Sequence, residues 1–301
     1  MRNCKEKNCR LENGNCLFPG SDGLLVQCVG PWVEEKYFFL ERYLEATSEA
    51  RRKFLNLGNA VYIDLFSGPG RCIIKDEQRE IDGGCIRALN PKGVPFNEYH
   101  FMDIEKNNID ALIKRIDTHY NIKAYIGDSN QNINVLIQSL SQTRYNRYHF
   151  TFIDPFGPGA LKFNTIKQLA QFKRMDMLIH FPTGAIKRNL DIWQEHEKAI
   201  LDDFLGTDRW RRALVNQPQN RISSILIDIF IEQLKNIGYP DNGLKLAVTD
   251  SEEYSGVPVV SIKNTKEVEL YVLILASKAP LAQKIWQSVI KASPDGQKSL
   301  F

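Results

Sequence analysis

Four acidic residues stand where apolar runs end: Asp64 closes "AVYID", Asp103 closes "EYHFMD", Asp128 closes "IKAYIGD" and Asp154 follows "YHFTFI". If those runs are strands of an open α/β sheet, all four carboxylates lie at the carboxyl edge, where such sheets bind ligands. Gly68 and Gly70, just beyond the first run, permit a tight turn and close backbone approach to a ligand. A carboxylate ending the second strand accepts hydrogen bonds from adjacent ribose hydroxyls, which is the chemistry expected of Asp103. Together these describe a site for a nucleoside-containing cofactor. The glycine spacing narrows the choice. Gly68-Pro69-Gly70 is followed by Arg71-Cys72-Ile73, with no third glycine for a dinucleotide fingerprint, and no phosphate-loop pattern occurs.

The elements that must position these residues follow from periodicity. Val33, Tyr37, Leu40 and Leu44 recur at helical spacing and predict a helix over 32–50. Strands are expected at "AVYIDLF", at 98–103, at 122–128, at 148–157 and at 175–182, with helical stretches between them. That βαβα alternation predicts an α/β fold with a mostly parallel sheet. Beyond 184 the rhythm changes to a helical piece over 190–243, then strand candidates at 244–249, 257–262 and 268–277 and a closing helix. These late strands are expected to complete the sheet in antiparallel fashion. The expected organisation is an N-terminal arm over 1–28, a core domain over 29–189, a helical insertion over 190–243 and a completing segment over 244–301. A winged-helix-like domain over 190–301 is the competing parse.

Composition excludes little. The chain has 301 residues, 43% of them hydrophobic, and a formal charge of +3, compatible with nucleic acid without demanding it. No run of apolar residues reaches the length of a membrane span, and "MRNCKEKNCR" is not followed by the apolar core of a signal peptide, so the cytoplasm is the expected compartment. Cys4, Cys9, Cys16 and Cys28 crowd the N-terminal arm and are the candidate ligands of a metal, although their spacing is not that of a zinc knuckle.

"DLFSGPG" resembles the first motif of class I S-adenosylmethionine-dependent methyltransferases. The resemblance implies a Rossmann-like fold in which Asp64, Phe66, Ser67, Gly68 and Gly70 receive the amino acid end of the cofactor, Asp103 takes the ribose, and Gly127 with Asp128 sits by the adenine. A longer set of segments is similar to the three-Cys-motif partner proteins: "VGPW" with Lys36, "YIDLFSGPGR", "GD" at 127–128, "IDPFG" at 153–157, "HFP" at 180–182 and "ASKAPLAQKIW" at 276–286. That family carries a methyltransferase-like fold and is named for a companion, a three-cysteine radical S-adenosylmethionine-like protein. The resemblance implies such a companion as partner.

The fourth strand is where acceptor chemistry is expected. Methylation of an exocyclic base nitrogen is served by an Asn or Asp, prolines and an aromatic residue that stacks on the base. Here Asp154, Pro155, Phe156 and Gly157 supply the acid, one proline, the aromatic ring and a loop glycine; the second proline is missing. Methylation at cytosine C5 needs a cysteine nucleophile at this strand, and no cysteine lies beyond Cys85. Direct transfer, with the protein positioning the acceptor and removing a proton, matches what is present. Arg71 and Arg188 are candidate substrate contacts. Basic clusters at 49–53, 144–149, 186–188 and 208–212 are candidates for meeting phosphates. His100 and His180 read as satisfied strand-end histidines. A nucleic acid base or modified nucleotide is therefore the expected substrate; a non-catalytic cofactor-binding partner and a DNA-binding scaffold are its rivals.

Overall fold

The computed structural model describes residues 16, 19–56, 59–75, 77–141, 146–240, 246–248, 252–254, 259–264 and 266–292. In chain order the first elements are β1 (Gln27–Val29), α1 (Val33–Ala46), α2 (Ser48–Leu55), β2 (Ala60–Asp64), β3 (Arg71–Ile74), β4 (Arg79–Asp82), α3 (Gly84–Leu89), β5 (Glu98–Asp103), α4 (Lys106–Arg115), β6 (Ile122–Ile126) and α5 (Ser129–Ser141). They are followed by β7 (Tyr148–Ile153), α6 (Phe163–Leu169), β8 (Met175–Phe181), α7 (Thr183–Gln194), α8 (Ile200–Leu205), α9 (Trp210–Ala213) and α10 (Ile222–Asn236). The last elements are β9 (Leu246–Val248), β10 (Glu252–Tyr254), β11 (Val259–Lys263), β12 (Glu269–Ala276) and α11 (Pro280–Ile290).

Seven strands form one sheet in the order β11-β12-β8-β7-β2-β5-β6. The pairs β2–β5, β5–β6 and β7–β8 are parallel, whereas β12 runs antiparallel to β8 and β11 antiparallel to β12. This is the expected Rossmann-like α/β architecture, with a late antiparallel strand in a mostly parallel sheet. The candidate strand at 244–249 departs from expectation: β9 pairs with β10 in a separate two-stranded sheet. No described helix is long and apolar enough to cross a membrane.

Contacts divide the chain into two units, residues 1–132 with 143–148, and residues 133–142 with 149–301. In the first unit, β2 and β5 are buried along their whole length, and Tyr62, Phe96, Tyr99 and Phe101 pack ring against ring around them. Such contacts add to the area term that dominates core stability. The helix expected over 32–50 is two helices broken at Thr47. The Thr47 hydroxyl donates to the Tyr43 carbonyl, and Arg51, 1% exposed, donates to the Leu44 and Val94 carbonyls and lies over the Phe96 ring. A guanidinium thus takes the Leu44 carbonyl in the last turn of α1. Arg147 is likewise buried and donates to Glu98, which also accepts from His100 at 2.7 Å and Lys123 at 3.2 Å. Two arginines of the presumed basic faces are therefore structural.

The first unit also holds a small sheet that periodicity does not reveal, β1-β3-β4, with β1 parallel to β3 and β4 antiparallel to it. In the second unit β8 is buried throughout and its Phe181 packs on Phe204 and Phe230, whose rings stack at 5.6 Å. Lys278 donates to the Ala170 and Phe172 carbonyls beyond the end of α6, and burial lowers the pKa of its ammonium.

Candidate functional site

In the first unit, hydrogen bonds tie together the carboxyl ends of β2, β5 and β6. Asp64, 2% exposed, accepts from the Phe66 N–H at 3.0 Å through Oδ1 and from the Cys85 thiol at 3.2 Å through Oδ2. The Ser67 N–H and hydroxyl both donate to the Met102 carbonyl, each at 2.9 Å. Gly68, at a φ of +61°, donates its N–H to Asp103 Oδ2 at 2.8 Å, and the Gly127 N–H donates to the Asp103 carbonyl at 2.9 Å. Gly70 has a φ of +84°, and a Cβ there would stand 2.7 Å from Leu112 Cδ1. Both positions lie in the left-handed region, where glycine is the residue without a steric penalty. The structure brings Asp64, Phe66, Ser67, Gly68, Asp103 and Gly127 into one network.

Asp103 is 8% exposed, and its Oδ1 accepts from the Glu105 N–H at 2.9 Å and the Asn108 amide at 3.0 Å. Burial raises the pKa of its carboxyl, against the pull of these donors. A carboxylate offers about four acceptor positions. Three are in use, which leaves one acceptor position on the Asp103 carboxylate. Asp128 caps the start of α5: its Oδ1 accepts from the Asn130 N–H at 2.8 Å and its carbonyl from the Asn132 N–H at 2.9 Å. Two features escaped the sequence reading. Ile104 and Ile126, 65% and 49% exposed, present apolar side chains at the ends of β5 and β6. Ile126 ends an apolar run and Ile104 follows the acid that closes one; only the structure shows them in solvent.

The second unit carries the acceptor candidates. β7 and β8 are parallel and in register from His149↔Met175 to Ile153↔Ile179, which sets Asp154 and His180 side by side one step further on. Asp154 Oδ1 lies 2.6 Å from His180 Nδ1, and the His180 ring lies 4.0 Å from that of Tyr271. A carboxylate oriented by an imidazole is suited to accept a hydrogen bond from an acceptor group and to move its proton. His180 is thus a partner of Asp154 and not merely a strand-end residue, a link that a separation of 26 positions hides. Pro155 is buried and Phe156 is 63% exposed. Gly157 has a φ of −174°, an extended conformation open to any residue.

Arg188 is exposed on α7, whereas Arg71 is surrounded by Asp22, Glu80 and Asp82 at 3.4–3.9 Å. In the 208–212 cluster, Arg209 pairs with Glu232 and Arg211 with Asp202. Cys16 and Cys28 are buried with Val26 and Ile73, while Cys4 and Cys9 lie outside the described residues. Among the described residues no group of three or more His, Cys, Asp or Glu side chains could hold a metal ion.

Neither a protein-family model nor a curated protein sequence matches the chain. Solved structures do. Protein LPL1258 of Legionella pneumophila, of the DUF519 family model, aligns over 84% of this chain and 91% of its own at 9% identity and a TM-score of 0.47. Trm1 of Pyrococcus horikoshii, solved with S-adenosyl-L-methionine, aligns over 91% of this chain and 62% of its own at 12% identity and a TM-score of 0.43. Human methyltransferase-like protein 13, solved with S-adenosylhomocysteine, aligns over 89% of this chain and 95% of its own at 10% identity and a TM-score of 0.40.

Proposed function

We propose that this chain transfers a methyl group from S-adenosylmethionine to a nucleic acid base or modified nucleotide, in the cytoplasm. The observation that carries the cofactor half is the clasp between the Gly68 N–H and the Asp103 carboxylate, which holds the glycine turn of β2 against the end of β5. In this reading Gly68 and Gly70 shape the turn beside the cofactor's amino acid end, Asp103 takes a ribose hydroxyl, and Ile104 and Ile126 offer apolar contact to the adenine. Asp154, oriented by His180, accepts from the group to be methylated, and Phe156 stacks on its base. The nitrogen lone pair attacks the methyl carbon, the carbon–sulfur bonding pair stays on sulfur to give S-adenosylhomocysteine, and the nitrogen's proton passes to Asp154 and on to water.

Calorimetric titration of the full chain with S-adenosylmethionine, beside an Asp103→Ala variant, tests the cofactor half. Binding in the wild type that weakens in the variant supports it; a folded wild type without affinity removes it. Transfer of labelled methyl to unfractionated DNA and RNA tests the acceptor half.

A second reading is favoured by the internal pairing of Arg51, Arg147, Arg209 and Arg211, which leaves fewer cations for phosphates. In it the chain is a three-Cys-motif partner protein that binds S-adenosylmethionine and docks on its three-cysteine companion without turnover. Cofactor affinity with no methyl transfer to any nucleic acid would select this reading.

A further inference from the structure

From Phe66 to Pro69 the glycine turn offers no backbone donor that is not already in use. The Phe66 N–H is held by Asp64, the Ser67 N–H by the Met102 carbonyl and the Gly68 N–H by Asp103, and Pro69 has none. An anionic group approaching residues 66–69 therefore needs a donor from outside that stretch, since a carboxylate stripped of water without partners is costly to bind.

The N-terminal segment stands in the right place to supply one. Arg115, whose side chain is 6% exposed, donates to both oxygens of Asp22 at 2.7 and 2.9 Å, to the Leu25 carbonyl at 2.7 Å and to the Pro69 carbonyl at 2.5 Å. One guanidinium thus fastens residues 22–25 to the glycine turn. Two residues further on, Gln27 opens β1 opposite Cys72 of β3, half-buried, and a Cβ placed on Gly68 would stand 3.0 Å from its Oε1. Oε1 is 3.9 Å from the Cys72 thiol, and no described acceptor takes the Nε2 donors.

Resting on the cofactor reading above, we infer that Gln27 is a cofactor-binding residue whose side-chain amide donates from Nε2 to the carboxylate of the cofactor's amino acid end. The strand that delivers it belongs to the small β1-β3-β4 sheet, so the site borrows a donor from outside the main sheet that shapes it.

The test is calorimetry of the full chain and of Gln27→Ala and Gln27→Glu with two ligands, S-adenosylhomocysteine and 5′-methylthioadenosine, which share the nucleoside but differ in the carboxylate and amino groups. Loss of one hydrogen bond to a charged group predicts S-adenosylhomocysteine binding about 10- to 100-fold weaker in Gln27→Ala. A larger loss is expected in Gln27→Glu, where like charges meet, with methylthioadenosine affinity unchanged in both. Unaltered S-adenosylhomocysteine affinity in Gln27→Ala would overturn the inference, as would an equal loss for both ligands, which would mean a deformed turn. A wild type that binds neither ligand would instead remove the cofactor reading itself.

Discussion

The carboxyl ends of the strands in the two units are built differently. In the first unit the acids are spent on the protein: Asp64 and Asp103 are buried and accept from Phe66, Cys85, Gly68, Glu105 and Asn108. In the second, Asp154 lies against the His180 imidazole, and Phe156 beside it is exposed to solvent. One region is organised to keep a shape, the other to meet something. A turn that must fit one ligand gains from donors satisfied in advance, whereas a group that handles a proton needs a reachable oxygen.

The largest effect that would sharpen this division is on turnover. Asp154→Ala should slow methyl transfer by about 10²- to 10⁴-fold, the usual range for a positioned acid or base, with S-adenosylmethionine affinity intact by calorimetry. Loss of both together would erase the distinction. Next comes acid sensitivity in the first unit. The hydrogen bond from His100 and the charge of Arg147 outweigh burial and hold Glu98 down to about 2, from 4.5. Burial lowers the pKa of His100 from 6.5. Both stabilise the fold at neutral pH and lose that contribution on acidification: His100 as pH falls below about 6.5, where the unfolded imidazole protonates, and Glu98 as pH falls from about 4.5 toward 2. Urea midpoints against pH should therefore decline below neutrality, and Glu98→Gln should remove the steeper acid limb.

A smaller loss, about 2 kcal/mol, is expected for Arg115→Met, which abandons the Leu25 and Pro69 carbonyls and the Asp22 carboxylate. Hydrogen exchange should show residues 20–29 losing protection while β8 and β12 keep theirs; uniform loss would mean that the segment folds with the whole. The smallest effect belongs to Phe156→Ala. Its stability should stay within about 0.5 kcal/mol of wild type, because the ring is exposed, while affinity for nucleic acid falls about 10-fold if the ring stacks on a base.

Sequence alone revealed the elements whose chemistry is local. β2, β5, β7 and β8 are apolar runs that read as buried strands, and Asp64, Asp103 and Asp154 stand at the carboxyl ends of the first three. What it concealed depends on contacts distant in the chain. β3 and β4 hold "RCII" and "REID", four residues each, too short and too charged for a periodic signal. Arg51 and Arg147 look like surface charge until Val94 and Glu98 arrive from elsewhere. The Asp154–His180 pair requires the register of two parallel strands, and Gln27 gains meaning only when β1 lies beside β3. Local runs encode the scaffold; the partners of its polar groups come from topology.

Cys85 turns the quiet region into something that can be timed. Its thiol is fully buried, donates to Asp64 and to the Ser67 carbonyl, and is pushed up in pKa by burial and by Asp64. An alkylating reagent can reach it only in moments when the turn lets go, so the labelling rate at this sulfur counts openings of the turn. Any small molecule that fastens the turn should slow that clock, making Cys85 a native reporter for ligand screening without an added probe.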